Sequence, residues 1–206
     1  MHGAPEPVLH PTPILDLRPT QITVGMREVE KKLKAFKDKG EKAGTFLGTH
    51  VIPVVLGPKK RPYILDHHHL ALALHRDGVE HVLTSVVSDL SSLDKETFWF
   101  VLAHKNWMHI YDKHGKLRTH AAIPKTVEGL QDDPYRSLAG ELRQAGGYAK
   151  DTAFYSEFLW ADFLRRNIKA KLVADDFEAA LTAARDLARH RQAAYLPGWC
   201  GPSADK

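Results

Sequence analysis

Between residues 61 and 75 the chain passes from strand chemistry directly into helix chemistry. Arg61-Pro62-Tyr63-Ile64-Leu65 is apolar and β-forming, and Leu70-Ala71-Leu72-Ala73-Leu74-His75 is strongly helix-forming. Asp66-His67-His68-His69 lies between them. Where a strand ends and a helix begins, unsatisfied backbone N–H groups and the positive end of the helix dipole converge, so anions bind there readily. The imidazoles of His67, His68 and His69 add donors for phosphate oxygens, and Asp66 can cap the helix or ligate a divalent cation beside that phosphate. Two other readings stand beside this one. In the first, Asp66 is only an N-cap and the histidines are surface residues. In the second the site holds zinc, but neighbouring helical residues point about 100° apart, so at most two of the three histidines can serve one ion.

The elements around this junction set the rest of the core. Residues 1–12 carry three prolines and no periodicity, and read as a flexible arm. Ile14-Leu15-Asp16-Leu17 suggests a short strand stopped by Pro19. Met26, Val29, Leu33 and Phe36 recur at helical spacing, and Gly40 and Gly44 end that helix in a loop. The run from His50 to Leu56 pairs with Arg61–Leu65 across the turn Gly57-Pro58-Lys59-Lys60 as a hairpin. Gly78 stops the helix that follows, and Val82–Val87 is a further strand. Strand, helix, hairpin, helix, strand define an α/β (α+β) core over residues 13–92. From 93 to 196 the pattern is mostly helical: Asp94 to Lys105 capped by Ser92 or Asp94, Tyr135 to Ala145, Phe154 to Ile168, and an alanine-rich helix from Asp175 to Ala194. This region is expected to pack on the core, with 197–206 as a tail.

Composition excludes several classes. With 43% hydrophobic and 26% charged residues, the 206-residue chain is an ordinary globular sequence with no need of staples. No apolar run approaches the ~18 residues of a membrane span. Met1-His2-Gly3-Ala4-Pro5 lacks the basic-then-apolar order of a signal peptide, so a cytoplasmic protein without membrane partners is expected. The single Cys200, in a Gly/Pro-rich tail, excludes an internal disulfide and argues against a catalytic thiol. A formal charge of +4 suits a nucleotide or nucleic acid partner but falls short of a strongly basic DNA-binding surface.

Other segments carry chemistry in two senses. Lys59, Lys60 and Arg61 form a basic cluster on the hairpin turn, either solvated or neutralising a phosphate. Glu28 and Glu30 on the first helix are either solvated or placed to act as a general base. Lys105-Asn106-Trp107-Met108-His109 and Tyr111-Asp112-Lys113-His114-Gly115 either meet nucleic acid or form a loop whose Trp107 and Tyr111 plug the core. Leu138-Ala139-Gly140-Glu141-Leu142-Arg143 faintly suggests a helix-turn-helix, without a convincing second helix.

Tyr63 to Leu74, with the preceding Pro53-Val54-Val55 strand and the start Leu17-Arg18-Pro19-Thr20-Gln21, resembles the ParB/sulfiredoxin superfamily in its ParB-like nuclease (ParBc_2-like) branch. The pattern there is a strand, then Asp-Gly-His-His-Arg or a variant, then an Ala/Leu-rich helix, and the resemblance covers residues 12 to about 170. It implies a small mixed-sheet core, a mostly helical C-terminal region and a phosphate site at the helix start. Asp66, His68 and His69 match the Asp and two His of the pattern, while His67 replaces its glycine and Leu70 its arginine. Sulfiredoxin's catalytic cysteine has no counterpart at this motif. The kinase members imply a glutamate base near Glu28 or Glu30.

The leading expectation is therefore a nucleotide- or phosphate-binding protein acting as a Mg²⁺-dependent NTP hydrolase or small-molecule kinase. Its cofactors would be ATP or another NTP and Mg²⁺, with Asp66 orienting the metal. Its acceptor substrate and oligomeric state are left open. The alternatives are a DNA-associated protein of partition or nuclease type, and a non-catalytic nucleotide-binding module.

Overall fold

In the computed structural model the described residues are 9–202. They contain strands β1 (Leu9–Pro13), β2 (Thr23–Val24), β3 (Ile52–Gly57), β4 (Arg61–Ile64), β5 (His81–Asp89) and β6 (Gln131–Asp132). The helices are α1 (Met26–Lys37), α2 (Ala43–Thr49), α3 (His68–Arg76), α4 (Lys95–His104), α5 (Pro134–Gln144), α6 (Ser156–Asn167), α7 (Ala170–Asp175) and α8 (Phe177–Arg189). The chain divides into two compact units. One holds the residues up to Thr23, Val29–Asp112 and Leu117–Gln131; the other holds Val24–Glu28, Lys113–Lys116 and the residues from Asp132 on.

The first unit is built on a four-stranded mixed sheet in the order β1-β5-β3-β4. β5 runs antiparallel to β1 and parallel to β3, and β3 runs antiparallel to β4. Both edge strands carry proline, Pro11 and Pro13 in β1 and Pro62 in β4. An edge strand can spare the missing N–H on its outer side. β3 is central, and its Ile52, Val54 and Val55 are fully buried. The Leu/Ala run of the sequence becomes α3, in which Leu70 to Leu74 are all buried, so its alternation reflects burial on every side. Asp94 caps α4, its Oδ1 accepting from the N–H groups of Glu96 and Thr97, as the sequence predicts.

The second unit is helical. Leu138, Leu142, Trp160 and Leu164 form its centre, and Ala180, Ala184 and Ala188 give α8 a flat buried stripe. Asp133 caps α5 and Asp176 caps α8 through the N–H groups of Tyr135 and Ala179.

Several expectations change. The proposed arm contains strand β1, which the Thr12–Thr84 hydrogen bond helps hold to β5; residues 1–8 of that arm lie outside the described residues. Ile14–Asp16 is a 3-10 turn rather than a strand, and the loop after Gly40 holds α2. The core does not end at residue 92: α4 and the segments to Asp112 and from Leu117 to Gln131 belong to the first unit. Trp107 packs with the apolar cluster around Phe98 and Leu102, whereas Tyr111 is exposed. The faint helix-turn-helix segment lies wholly inside α5. The tail is anchored to residue 199 at least, because its Pro197 carbonyl accepts from the Trp160 indole and the Trp199 indole donates to Ala188. No helix among the described residues is long and apolar enough to cross a membrane.

Candidate functional site

At the strand-to-helix junction the motif is turned largely inward. Asp66 does not cap α3; its Oδ1 accepts the N–H of His67 at 2.6 Å, and α3 has no side-chain cap. His67 occupies the N-cap position in the left-handed conformation, φ +69°. That conformation suits the glycine of the family pattern and is costly for a side chain with Cβ. His68 is 4% exposed, and its Nε2 accepts the Thr20 N–H at 3.2 Å, which places the ring proton on Nδ1. The Thr20 hydroxyl in turn donates to the Ile64 carbonyl at 2.7 Å. His68 therefore fastens the segment Arg18–Thr20 against the end of β4. His69 is half-buried, and Leu70 is in the core.

The remaining sequence candidates scatter. Lys59 and Lys60 are exposed on the hairpin turn, both at positive φ, and only Arg61 of that cluster faces a cavity. Glu30 is exposed in the first unit, and Glu28 falls in the second. Among the described residues no group of three or more His, Cys, Asp or Glu side chains is placed to hold a metal ion, and Asp66 already accepts a backbone N–H. A zinc centre held by three or more protein ligands is thus not formed among these residues.

What the first unit does assemble is a basic, aromatic-walled cleft of about 330 Å³. Arg18 enters from the segment fastened by His68, Arg61 and Tyr63 from β4, Lys95 and Trp99 from one face of α4, and His120 and Lys125 from the chain after α4. Its lining includes no carboxylate. Arg18 is seated by main-chain bonds to β4, its N–H donating to Pro62 at 2.9 Å and its carbonyl accepting from Ile64 at 2.8 Å. One guanidinium nitrogen donates to the Lys125 carbonyl at 2.8 Å, while Nε is buried with no partner. Trp99 is 8% exposed, and its indole N–H is likewise buried and unpartnered. The Trp99 ring stacks on His120 at 5.1 Å and meets Tyr63 edge-on at 5.5 Å. Burial pushes the Tyr63 phenol above its ordinary range, although the Arg18 and Arg61 charges pull the other way. Four cations around one concavity without a counter-charge create a positive potential that draws anions, and partial burial limits its screening.

Sequence reasoning reached only Arg61 of this set. Arg18 stood inside the Leu17–Gln21 signature, and Lys95 and Trp99 share a helix face at a spacing of four; those were the available signals. His120 and Lys125 come from irregular chain with no periodicity to read.

These features, a small mixed sheet with an Asp-His-His-His junction and a following helical unit, define an α/β protein of the kind that the sequence resemblance implied. The family described as "Putative ParB-like nuclease" matches residues 10–166, and the chain belongs to that family. The crystal structure of protein Atu1540 from Agrobacterium tumefaciens is similar to it, with 52% sequence identity and a TM-score of 0.89, over 95% of this chain and 99% of that one. No curated protein matches the sequence.

Proposed function

We propose that this member of the ParB-like nuclease family binds a nucleotide in the cleft of its first unit. Arg18, Arg61, Lys95 and Lys125 take the phosphates, and the Tyr63, Trp99 and His120 rings wall the remainder. The observation that carries this reading is the convergence of four cations, with no lining carboxylate, on a cavity the size of a small ligand site. The unpartnered Arg18 Nε–H and Trp99 N–H support it further, since buried donors without partners are rare. In this reading Mg²⁺ arrives on the nucleotide's own phosphates, and neither Asp66 nor a glutamate of α1 stands in the cleft. Binding, rather than phosphoryl transfer by a built-in base, is the function supported best.

Calorimetric titration of ATP, ADP, CTP and inorganic phosphate, with and without Mg²⁺, tests it. Binding of a nucleotide should weaken about tenfold in Arg18→Gln and in Lys125→Gln, the loss of one charge-assisted contact of about 1.5–3 kcal/mol partly offset by solvent. Unchanged affinity in both variants would move the ligand elsewhere. A second reading, cleavage of nucleic acid, is favoured by the family match alone. Metal-dependent cutting of a labelled oligonucleotide, abolished by the same substitutions, would favour it over nucleotide binding.

A further inference from the structure

The second unit has a cationic cavity of its own, of about 510 Å³, and it owes nothing to the motif at α3. Lys113, Arg166 and Lys169 line it and are exposed. Arg165 and His114 complete the wall, and no carboxylate is among the lining residues. Three features make this a built concavity rather than a solvated stretch of surface. Arg165 is held by ion pairs to Asp133 and Asp162, which fix its guanidinium and offset its charge, while its Nε is buried with no partner. Gly115 has φ +71°, and a Cβ there would lie 2.9 Å from both Arg165 Nη1 and Asp162 Oδ1, so glycine lets the loop bearing Lys113 and His114 lie against that ion pair. The Tyr135 hydroxyl donates to the Ile168 carbonyl at 2.7 Å, fixing the turn between Arg166 and Lys169.

We propose that this cavity binds a chain of phosphates, a ligand with at least two phosphate groups. The reason is the distribution of charge. With Arg165 already balanced, the remaining cations Lys113, Arg166 and Lys169, of which Arg166 also feels the Asp162 carboxylate, come from two separate segments of the chain. Single exposed contacts of this kind are individually weak, so a lone phosphate that reaches one or two of them gains little. A ligand with successive negative groups engages all of them at the entropic cost of one association. Two sources share this chemistry, a small polyphosphate such as a nucleotide tail and the backbone of a nucleic acid strand.

The experiment compares inorganic phosphate, tripolyphosphate and a fluorescein-labelled oligothymidylate on the full chain. Three sets of substitutions are used: the pair Arg166→Gln with Lys169→Gln, the single Lys113→Gln, and a charge-matched control, Lys32→Gln with Lys34→Gln on α1. We expect tripolyphosphate or the oligonucleotide to bind more tightly than phosphate, and the tighter of the two identifies the source. The Arg166/Lys169 pair should weaken it about tenfold, equivalent to about 1.4 kcal/mol. Lys113→Gln, on a separate loop, should act in the same direction. For the oligonucleotide, the slope of log K against log salt should fall by about 0.7 for each cation removed. The same substitutions are repeated in an Arg18→Gln background, which weakens the cleft of the first unit; their losses should persist there, and their disappearance would assign the binding to that cleft and overturn the proposal. Equal losses in the α1 control would mean diffuse attraction to net charge, and equal affinity for phosphate and tripolyphosphate would remove the multi-phosphate requirement. Either result overturns the proposal.

Discussion

At the scale of single residues, the histidine run separates into two opposite contributions to stability. His68 is buried and supplies the acceptor for the Thr20 N–H. His68→Ala leaves that donor unsatisfied and opens a cavity, so it should cost about 2–4 kcal/mol in denaturant unfolding. His67 holds a left-handed backbone and carries a buried Nδ1 with no partner. His67→Gly relieves about 1–2 kcal/mol of strain against the greater flexibility of unfolded glycine, for a net gain of up to about 1 kcal/mol. The two variants, measured side by side by urea titration, should move in opposite directions. Movement in the same direction would contradict the division of roles between them. The sequence showed that this triplet is unusual but not that its middle member faces inward, because burial depends on the Arg18–Thr20 segment, which lies far away in the chain.

At the scale of elements, the reading depended on period. Helices with a regular apolar face or an explicit cap were legible: α1 from Met26, Val29, Leu33 and Phe36, α4 from Asp94, and α5 from the run before Gly146. α2 was hidden because Gly44 and Gly48 lie within it, and β1 because two of its five residues, Pro11 and Pro13, are prolines. The cleft was least legible, since its side chains come from four separate segments that only the sheet and α4 bring together. The tightest joint between these elements is Gly57 at the end of β3. A Cβ there would lie 2.6 Å from the Tyr63 ring and 2.7 Å from the Phe98 ring. Both rings adjoin Trp99, at 5.5 and 5.4 Å between centroids. Gly57→Ala should therefore cost about 1–3 kcal/mol by overpacking. It should also weaken any ligand of the cleft, because Tyr63 and Trp99 are displaced with it. Thermal unfolding and nucleotide titration of the one variant check both consequences.

At the scale of the whole molecule, stability should depend on pH through a buried carboxylate that departs from the usual pattern. Asp133 has a side chain 3% exposed, and burial raises its pKa despite the opposing Arg165 charge. Its folded pKa then lies above the unfolded one, so between the two values the native state holds the proton that the unfolded chain has lost. Stability from this group is present at low pH and declines as pH rises through the raised pKa. Asp133→Asn keeps a capping side chain and does not titrate. Urea unfolding of both proteins from pH 4 to pH 7 should show the variant gaining on the wild type as pH increases; the reverse slope would mean that the ion pair outweighs burial. The sheet topology bears on how the molecule is made. β1 leaves the ribosome before the other strands of its sheet, yet its neighbour is β5, and the Thr12–Thr84 hydrogen bond joins residues 72 apart in the chain. Until β5 has been synthesised, β1 has no strand to pair with, and the nascent chain must carry it unpaired past α1, the β3–β4 hairpin and α3. Closure of the sheet is thus a late, non-local event, and β1 should resist protease on stalled nascent chains only once Asp89 has cleared the exit tunnel.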